Sequence, residues 1–367
     1  MTVRHRDAAE RTVLTAIAGG ASPAALADLL FAAETDRAYA DGGHSLDFIN
    51  KAFECLDLIG WEHAADVLPS VVGQMAAARG AEERTAWRQP TDLIALCQRA
   101  GLELPHLFAA SDNACGWSDH VTLSESLLGD DPVVIIDALT VAARDGASPA
   151  DLGQALAYAA ALRVARFGTA NEHSDWETAH HVFTYANAVH QALKRIGSEV
   201  ADADGPVEAV RALLHGAMAL YLARYLNVPP ASLPGDGSDR LDDLPVAAEE
   251  IRAALLDTFD RQQQIAAAAR LVARHLTLGH SPDALIATLS QALLREDAGF
   301  HAYQMLEAGA RQFHEWGNCD QGRHVLIAIA RYLAAHFPTE RALLQTADIA
   351  SRLTRGGELH REAQAVG

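Results

Sequence analysis

The chain has 367 residues, half of them hydrophobic, a formal net charge of −19 and only four cysteines. That charge argues strongly against a nucleic-acid partner, because phosphate-backbone binding is driven by basic surface and counterion release. Cys55, Cys97, Cys115 and Cys319 form no C-x-x-C pair, so neither a disulfide framework nor a thiolate zinc site is expected.

The N-terminus, Met1-Thr-Val-Arg-His-Arg-Asp, turns charged at once and lacks the apolar core of a signal peptide. No stretch reaches roughly 18 apolar residues without charge, so no membrane span is predicted and a cytoplasmic location is expected. Lysine is nearly absent, with Lys51 and Lys194 only, which reads as a GC-rich coding bias without mechanism.

The first predicted elements are two helices meeting at a corner, Val13-Leu-Thr-Ala-Ile-Ala-Gly-Gly-Ala-Ser22-Pro23-Ala-Ala-Leu26. The same corner returns from Ala138 to Leu152, around Gly146, Ser148 and Pro149, and again from Leu271 to Leu285, around Gly279, Ser281 and Pro282. Each copy offers a glycine for a left-handed C-cap, a serine N-cap and a proline at the first helical position. After each corner a histidine (His44, His173, His301) opens another helical run, and a further one (His63, His215, His324) heads a later helix.

Self-similarity of this kind marks a repeat architecture. The fold class expected is all-α: a helical bundle of three tandem helix-turn-helix repeats around a central cavity. The repeats are placed at 1–85, 131–230 and 255–345, with a helical insert at 86–130, an acidic loop at 231–254 and a C-terminal helix or tail at 346–367. The run Val133-Val-Ile-Ile136 is the best strand candidate, yet it sits inside a helical pattern, so strands are expected to be absent or minor. The acidic run from Asp236 to Asp243 reads as a solvated loop, and Trp61, Trp176 and Trp316 as core packing.

Chemistry is suggested by 17 histidines, several inside apolar helical stretches. Neutral imidazole is the commonest metal ligand, so histidines converging from several helices imply a metal or acid/base site. The densest run extends from Asn171 through His173, Glu177, His180, His181 and Tyr185 to His190. Glu177 shares a helix face with both His180 and His181, and either pair could chelate one ion. A di-iron carboxylate site needs two such Glu-x-x-His pairs, but the second match, Glu103-Leu-Pro-His106, contains a proline, so a ferritin-like centre is disfavoured. His44, His63, His181, His215, His301 and His324, with Glu177, are the candidate metal ligands, and Glu177 and Tyr185 the candidate catalytic residues. His5, His106, His275, His280, His336 and His360 read as capping or surface residues. No nucleophile elbow, phosphate loop or dinucleotide fingerprint occurs.

The run from Thr169 to Leu193, with Gly43-His-Ser-Leu-Asp-Phe-Ile-Asn-Lys-Ala-Phe-Glu and Gly60-Trp-Glu-His-Ala, resembles the questin oxidase-like family. It is also similar to the helical part of proteins that can carry a separate Rieske iron–sulfur domain. The resemblance implies an all-α, histidine-rich oxidative enzyme acting on an aromatic or polyketide-like substrate. No Rieske cysteine–histidine pattern is present here, so any electron donor would be a separate protein. The leading expectation is a metal-dependent oxidoreductase, an iron oxygenase with a small organic substrate, zinc, copper and manganese remaining open. The rivals are a helical-repeat binding scaffold and a metal-independent acid/base enzyme.

Overall fold

The computed structural model describes residues 5–110, 116–197, 209–237 and 239–356. Among them it holds sixteen α-helices and no strand, so the all-α class is observed. The first four are α1 (Arg6–Ala18), α2 (Pro23–Thr35), α3 (His44–Ile59) and α4 (Ala64–Ala77). The insert supplies α5 (Leu93–Ala110) and α6 (His120–Leu127). Next come α7 (Pro132–Arg144), α8 (Pro149–Ala165), α9 (His173–Gly197), α10 (Val210–Ala223) and α11 (Ala248–Phe259). The chain closes with α12 (Ile265–Thr277), α13 (Pro282–Leu294), α14 (Phe300–Trp316), α15 (Asp320–His336) and α16 (Leu343–Thr354).

The three corners share their local chemistry. Ser22 Oγ accepts the Ala25 N–H at 3.2 Å and Ser281 Oγ the Ala284 N–H at 3.3 Å. Ser148 forms a full capping box: its Oγ accepts the Asp151 N–H at 3.1 Å, and its own N–H donates to Asp151 Oδ2 at 2.9 Å. Before each serine the chain reverses through a glycine at positive φ, +80° at Gly20, +98° at Gly146 and +75° at Gly279, a region closed to most side chains.

Packing repeats as well. α1 lies against α4, α7 against α10 and α12 against α15, while α3 packs on α4, α9 on α10 and α14 on α15. At the centre runs α9, 25 residues long, which touches α2, α3, α8, α10, α14 and α15. It is buried nearly all round from Ala179 to Leu193, enclosing Val182, Phe183, Ala186 and Val189 together with the polar His180, Thr184, Asn187 and His190. Polar groups on this helix are therefore carried into the interior.

Several expectations change in detail. The acidic loop placed at 231–254 ends earlier, because 248–254 already belong to α11, whose first turn carries Glu249 and Glu250 against the positive end of the helix dipole. Its aspartates are not merely solvated: Asp239 and Asp243 hold Arg270 at 3.0 and 2.6 Å. Val133–Ile136 lies within α7, and Trp176 is core. Cys55, Cys97 and Cys319 are free thiols, and Cys115 and His360 lie outside the described residues. No helix among the described residues is long and apolar enough to cross a membrane.

Candidate metal centre

Two helix starts meet the middle of α9. The turn before α3 contains Tyr39, Asp41, Gly42 and Gly43 at positive φ and delivers His44 as the first helical residue. It is pressed onto α9 so closely that a Cβ on Gly43 would lie 3.2 Å from Cβ of Tyr185. His301 is the second residue of α14, and His181 stands in α9 between them.

The three imidazoles form one cluster. Ring centroids are 4.3 Å apart for His44 and His181, 5.3 Å for His44 and His301, and 4.8 Å for His181 and His301. Nε2 of His181 and Nε2 of His301 approach to 3.1 Å, and one ring nitrogen from each of the three lies within 4.8 Å of the others. All three residues are partly exposed, and Phe48 and Phe300 border the cluster, 6.2 and 5.7 Å from the His44 ring.

Behind the cluster stands Glu177, one turn before His181. Its Oε2 is paired with Nδ1 of His301, and its Oε1 accepts the Tyr332 hydroxyl at 2.7 Å and lies 3.0 Å from Nε2 of His336. A proton on Nδ1 of His301, toward the carboxylate, would turn its Nε2 lone pair toward His181, the arrangement that orients metal-bound histidines. His336 is fixed in turn by its Nδ1, which donates to the Tyr332 carbonyl at 2.7 Å. His180 is fully buried, 5.1 Å ring to ring from His301 and 5.0 Å from Tyr332, and neither of its nitrogens has a hydrogen-bond partner.

Electrostatics favour neutral rings around one anion. Burial lowers His181 to about 4, reinforced by His44 and His301, and holds His180 well below the usual imidazole range. His44 and His301 are also lowered by burial, partly offset by Glu177. Burial would raise the Glu177 carboxyl, but His336, the Tyr332 hydroxyl and the neighbouring rings outweigh it and hold it at about 2. Deprotonated imidazoles beside a firm carboxylate are the protonation states a cation needs. A cation beside Glu177 would also occupy the position next to Nε2 of His336, which has no hydrogen-bond partner, a state that otherwise costs about 1–3 kcal/mol for a buried group.

Of the residues singled out from sequence, the structure brings together His44, His181, His301 and Glu177. The other three histidines do not converge on them. His63 stands at the N-cap position of α4 on the surface, its side chain making no capping hydrogen bond and lying 3.9 Å from Asp66. His215 sits inside α10 rather than at its head and lines a separate cavity of about 470 Å³ with Thr35, Cys97 and Arg211. His324 accepts or donates a 2.8 Å hydrogen bond at the Tyr158 hydroxyl. Its exclusion is geometric: twelve residues of α15 separate it from His336, about 18 Å along a helix, so one end alone can reach Glu177. Tyr185 is buried edge-on to Tyr39 at 4.9 Å and supports the α3 turn instead of facing Glu177.

Sequence reasoning placed His173 and His180 in the densest histidine run, and paired His180 with Glu177, but left both out of the ligand set; it read His336 as a capping or surface residue and did not find Tyr332. His173, Glu177 and His181 follow at i, i+4 and i+8 along one face of α9, a ladder that would have found His173. For His336 no local signal existed, because its place is set by how α15 packs on α9. No protein-family model, curated protein or solved structure matches this chain. The functional reading rests on the geometry.

Proposed function

We propose that the chain is a metal-dependent oxidoreductase, an iron oxygenase acting on a small organic molecule, with His44, His181 and His301 holding the metal. The observation that carries this is the convergence of three neutral imidazoles from three helices, one of them oriented by Glu177. Nitrogen ligands of this kind suit iron, zinc, copper or manganese, and a bound ion would act as a Lewis acid on oxygen or water. The protein's part is to fix the ligand tautomers through Glu177 and Tyr332 and to offer Phe48 and Phe300 as an apolar border for a substrate.

The resemblance to the questin oxidase-like family supports an aromatic or polyketide-like substrate and a separate electron-donor protein. In the same reading the three corners descend from one repeated unit, and the tandem repeats surround the site where α3, α9 and α14 meet. A pure binding scaffold is disfavoured, since desolvating imidazoles and a carboxylate in the interior costs stability without serving a surface.

Metal analysis of untagged protein purified without chelators tests the proposal. At least one near-stoichiometric equivalent of metal that is lost in His181→Ala supports it; protein that stays metal-free after anaerobic reconstitution with iron, zinc, copper and manganese sinks it. A second reading is favoured by the chain Tyr332–Glu177–His301–His181, which could serve proton transfer without an ion. Activity resistant to chelation would select it.

A further inference from the structure

We infer a second cation site beside the first, formed by His173, His336 and Oε1 of Glu177, and specific for a divalent transition metal. The inference rests on reading His44, His181 and His301 as a metal centre, because one carboxylate would serve both.

One ligand atom from each of His173, Glu177 and His336 lies within 4.8 Å of the others, and the two rings are 4.4 Å apart. His173 is the first residue of α9 and Glu177 stands one turn further along the same face, while His336 ends α15. The Nδ1 of His336 donates to a carbonyl, which can only accept, so whenever the ring is neutral its lone pair is on Nε2. That lone pair lies 3.0 Å from Glu177 Oε1, another acceptor, and Nε2 finds no hydrogen-bond partner. With the ring neutral, two acceptors would face each other with a second imidazole, His173, alongside; a proton on Nε2 resolves this and holds the carboxylate low, and a cation between them would take that proton's place.

Two imidazoles and one carboxylate form a ligand set suited to iron(II), zinc or manganese with coordination positions left open. The exposed His173 places those positions toward solvent. Glu177 then has two tasks: Oε2 aligns His301 for the first ion, and Oε1 binds the second. Loss of His173 should remove one ion and leave the alignment of His301 intact, since the ring contact of His173 is to His336 and it acts on His301 only electrostatically.

The test is metal stoichiometry by elemental mass spectrometry after anaerobic reconstitution of the full chain with iron(II), repeated with zinc. The wild type is expected to hold two equivalents, and His173→Ala and His181→Ala one each. His173→Ala alters an exposed side chain, so folding is preserved, and circular dichroism checks it. One equivalent in the wild type, kept in His173→Ala and lost in His181→Ala, overturns the second site and leaves the first. One equivalent lost in His173→Ala but kept in His181→Ala overturns the first centre and the two-site arrangement with it. A metal-free wild type overturns both.

Discussion

Nδ1 of His301 is paired with Oε2 of Glu177, while Nε2 of the same ring meets Nε2 of His181 at 3.1 Å. One imidazole thus links a carboxylate on α9 to another histidine of α9 across the start of α14. The carboxylate favours a proton on Nδ1 of His301, and where that proton sits determines whether Nε2 offers a lone pair to an ion.

Glu177→Gln should therefore weaken metal binding about 10- to 100-fold without unfolding the chain, the usual effect of losing a carboxylate behind a metal-bound histidine. Competition against a chromophoric chelator measures it. An unchanged affinity would show that His301 does not depend on Glu177 for its orientation. Tyr332→Phe, which removes the hydroxyl that Oε1 accepts, should give a smaller loss in the same assay.

Acid sensitivity offers a separate test, clear of the proposed ligands. Burial lowers His215 to about 3, so the folded chain leaves it neutral where the unfolded chain protonates it. The unfolded state binds more protons below about pH 6.5, and stability falls as pH drops from there toward 3. Through this group the protein should be about 2 kcal/mol less stable at pH 5 than at pH 7. Urea midpoints of metal-free wild type and His215→Gln, compared at the two pH values, measure the difference, and an identical pH dependence in both would contradict it. Glu177, held at about 2, adds a loss in the same direction as pH falls below 4.5.

The helices were legible because their ends are written locally. Ser148, Pro149 and Asp151 declare a capped helix start whatever lies around them, and the same holds for Ser22 and Ser281. His44 and His301 were legible as helix-opening positions, and Glu177 with His181 as a pair on one face. His63, His215 and His324 shared a sequence pattern but not a place, since each sits on a helix facing different neighbours. His336 failed for the opposite reason. As the last residue of α15 it reads as a helix terminus, and only the crossing of α15 over α9 brings it to Glu177.

The turn that delivers His44 is expected to be intolerant. Gly43 adopts φ +99°, and a Cβ there would meet Tyr185 and Tyr39 at 3.2 Å. Gly43→Ala combines the left-handed backbone cost of about 1–2 kcal/mol with overpacking against two buried rings. It should lower the urea midpoint and, by shifting the first residue of α3, reduce metal affinity as well. Gly42→Ala is the control: φ there is +66°, but no atom lies within 4 Å of the added Cβ, so stability should suffer from the backbone alone and metal affinity should hold.

The three corners allow a graded comparison within one protein. Each serine satisfies an otherwise orphaned N–H at the start of its helix, and removing such a cap costs about 0.5–2 kcal/mol. At Ser148 the Asp151 carboxylate also accepts the serine's own N–H at 2.9 Å and its hydroxyl at 2.6 Å, so alanine breaks two of three linked bonds and leaves Asp151 capping alone. α8 is moreover buried over most of its length against α9, so fraying at its start loosens the helix that carries Glu177 and His181. At Ser22 and Ser281 single bonds of 3.2 and 3.3 Å are lost at helices nearer the surface. Ser148→Ala should therefore be the most destabilising of the three, near the upper end of that range, and Ser22→Ala and Ser281→Ala should lie near the lower end. Equal shifts in thermal midpoint would mean that the capping box at Ser148 adds nothing beyond an ordinary serine cap.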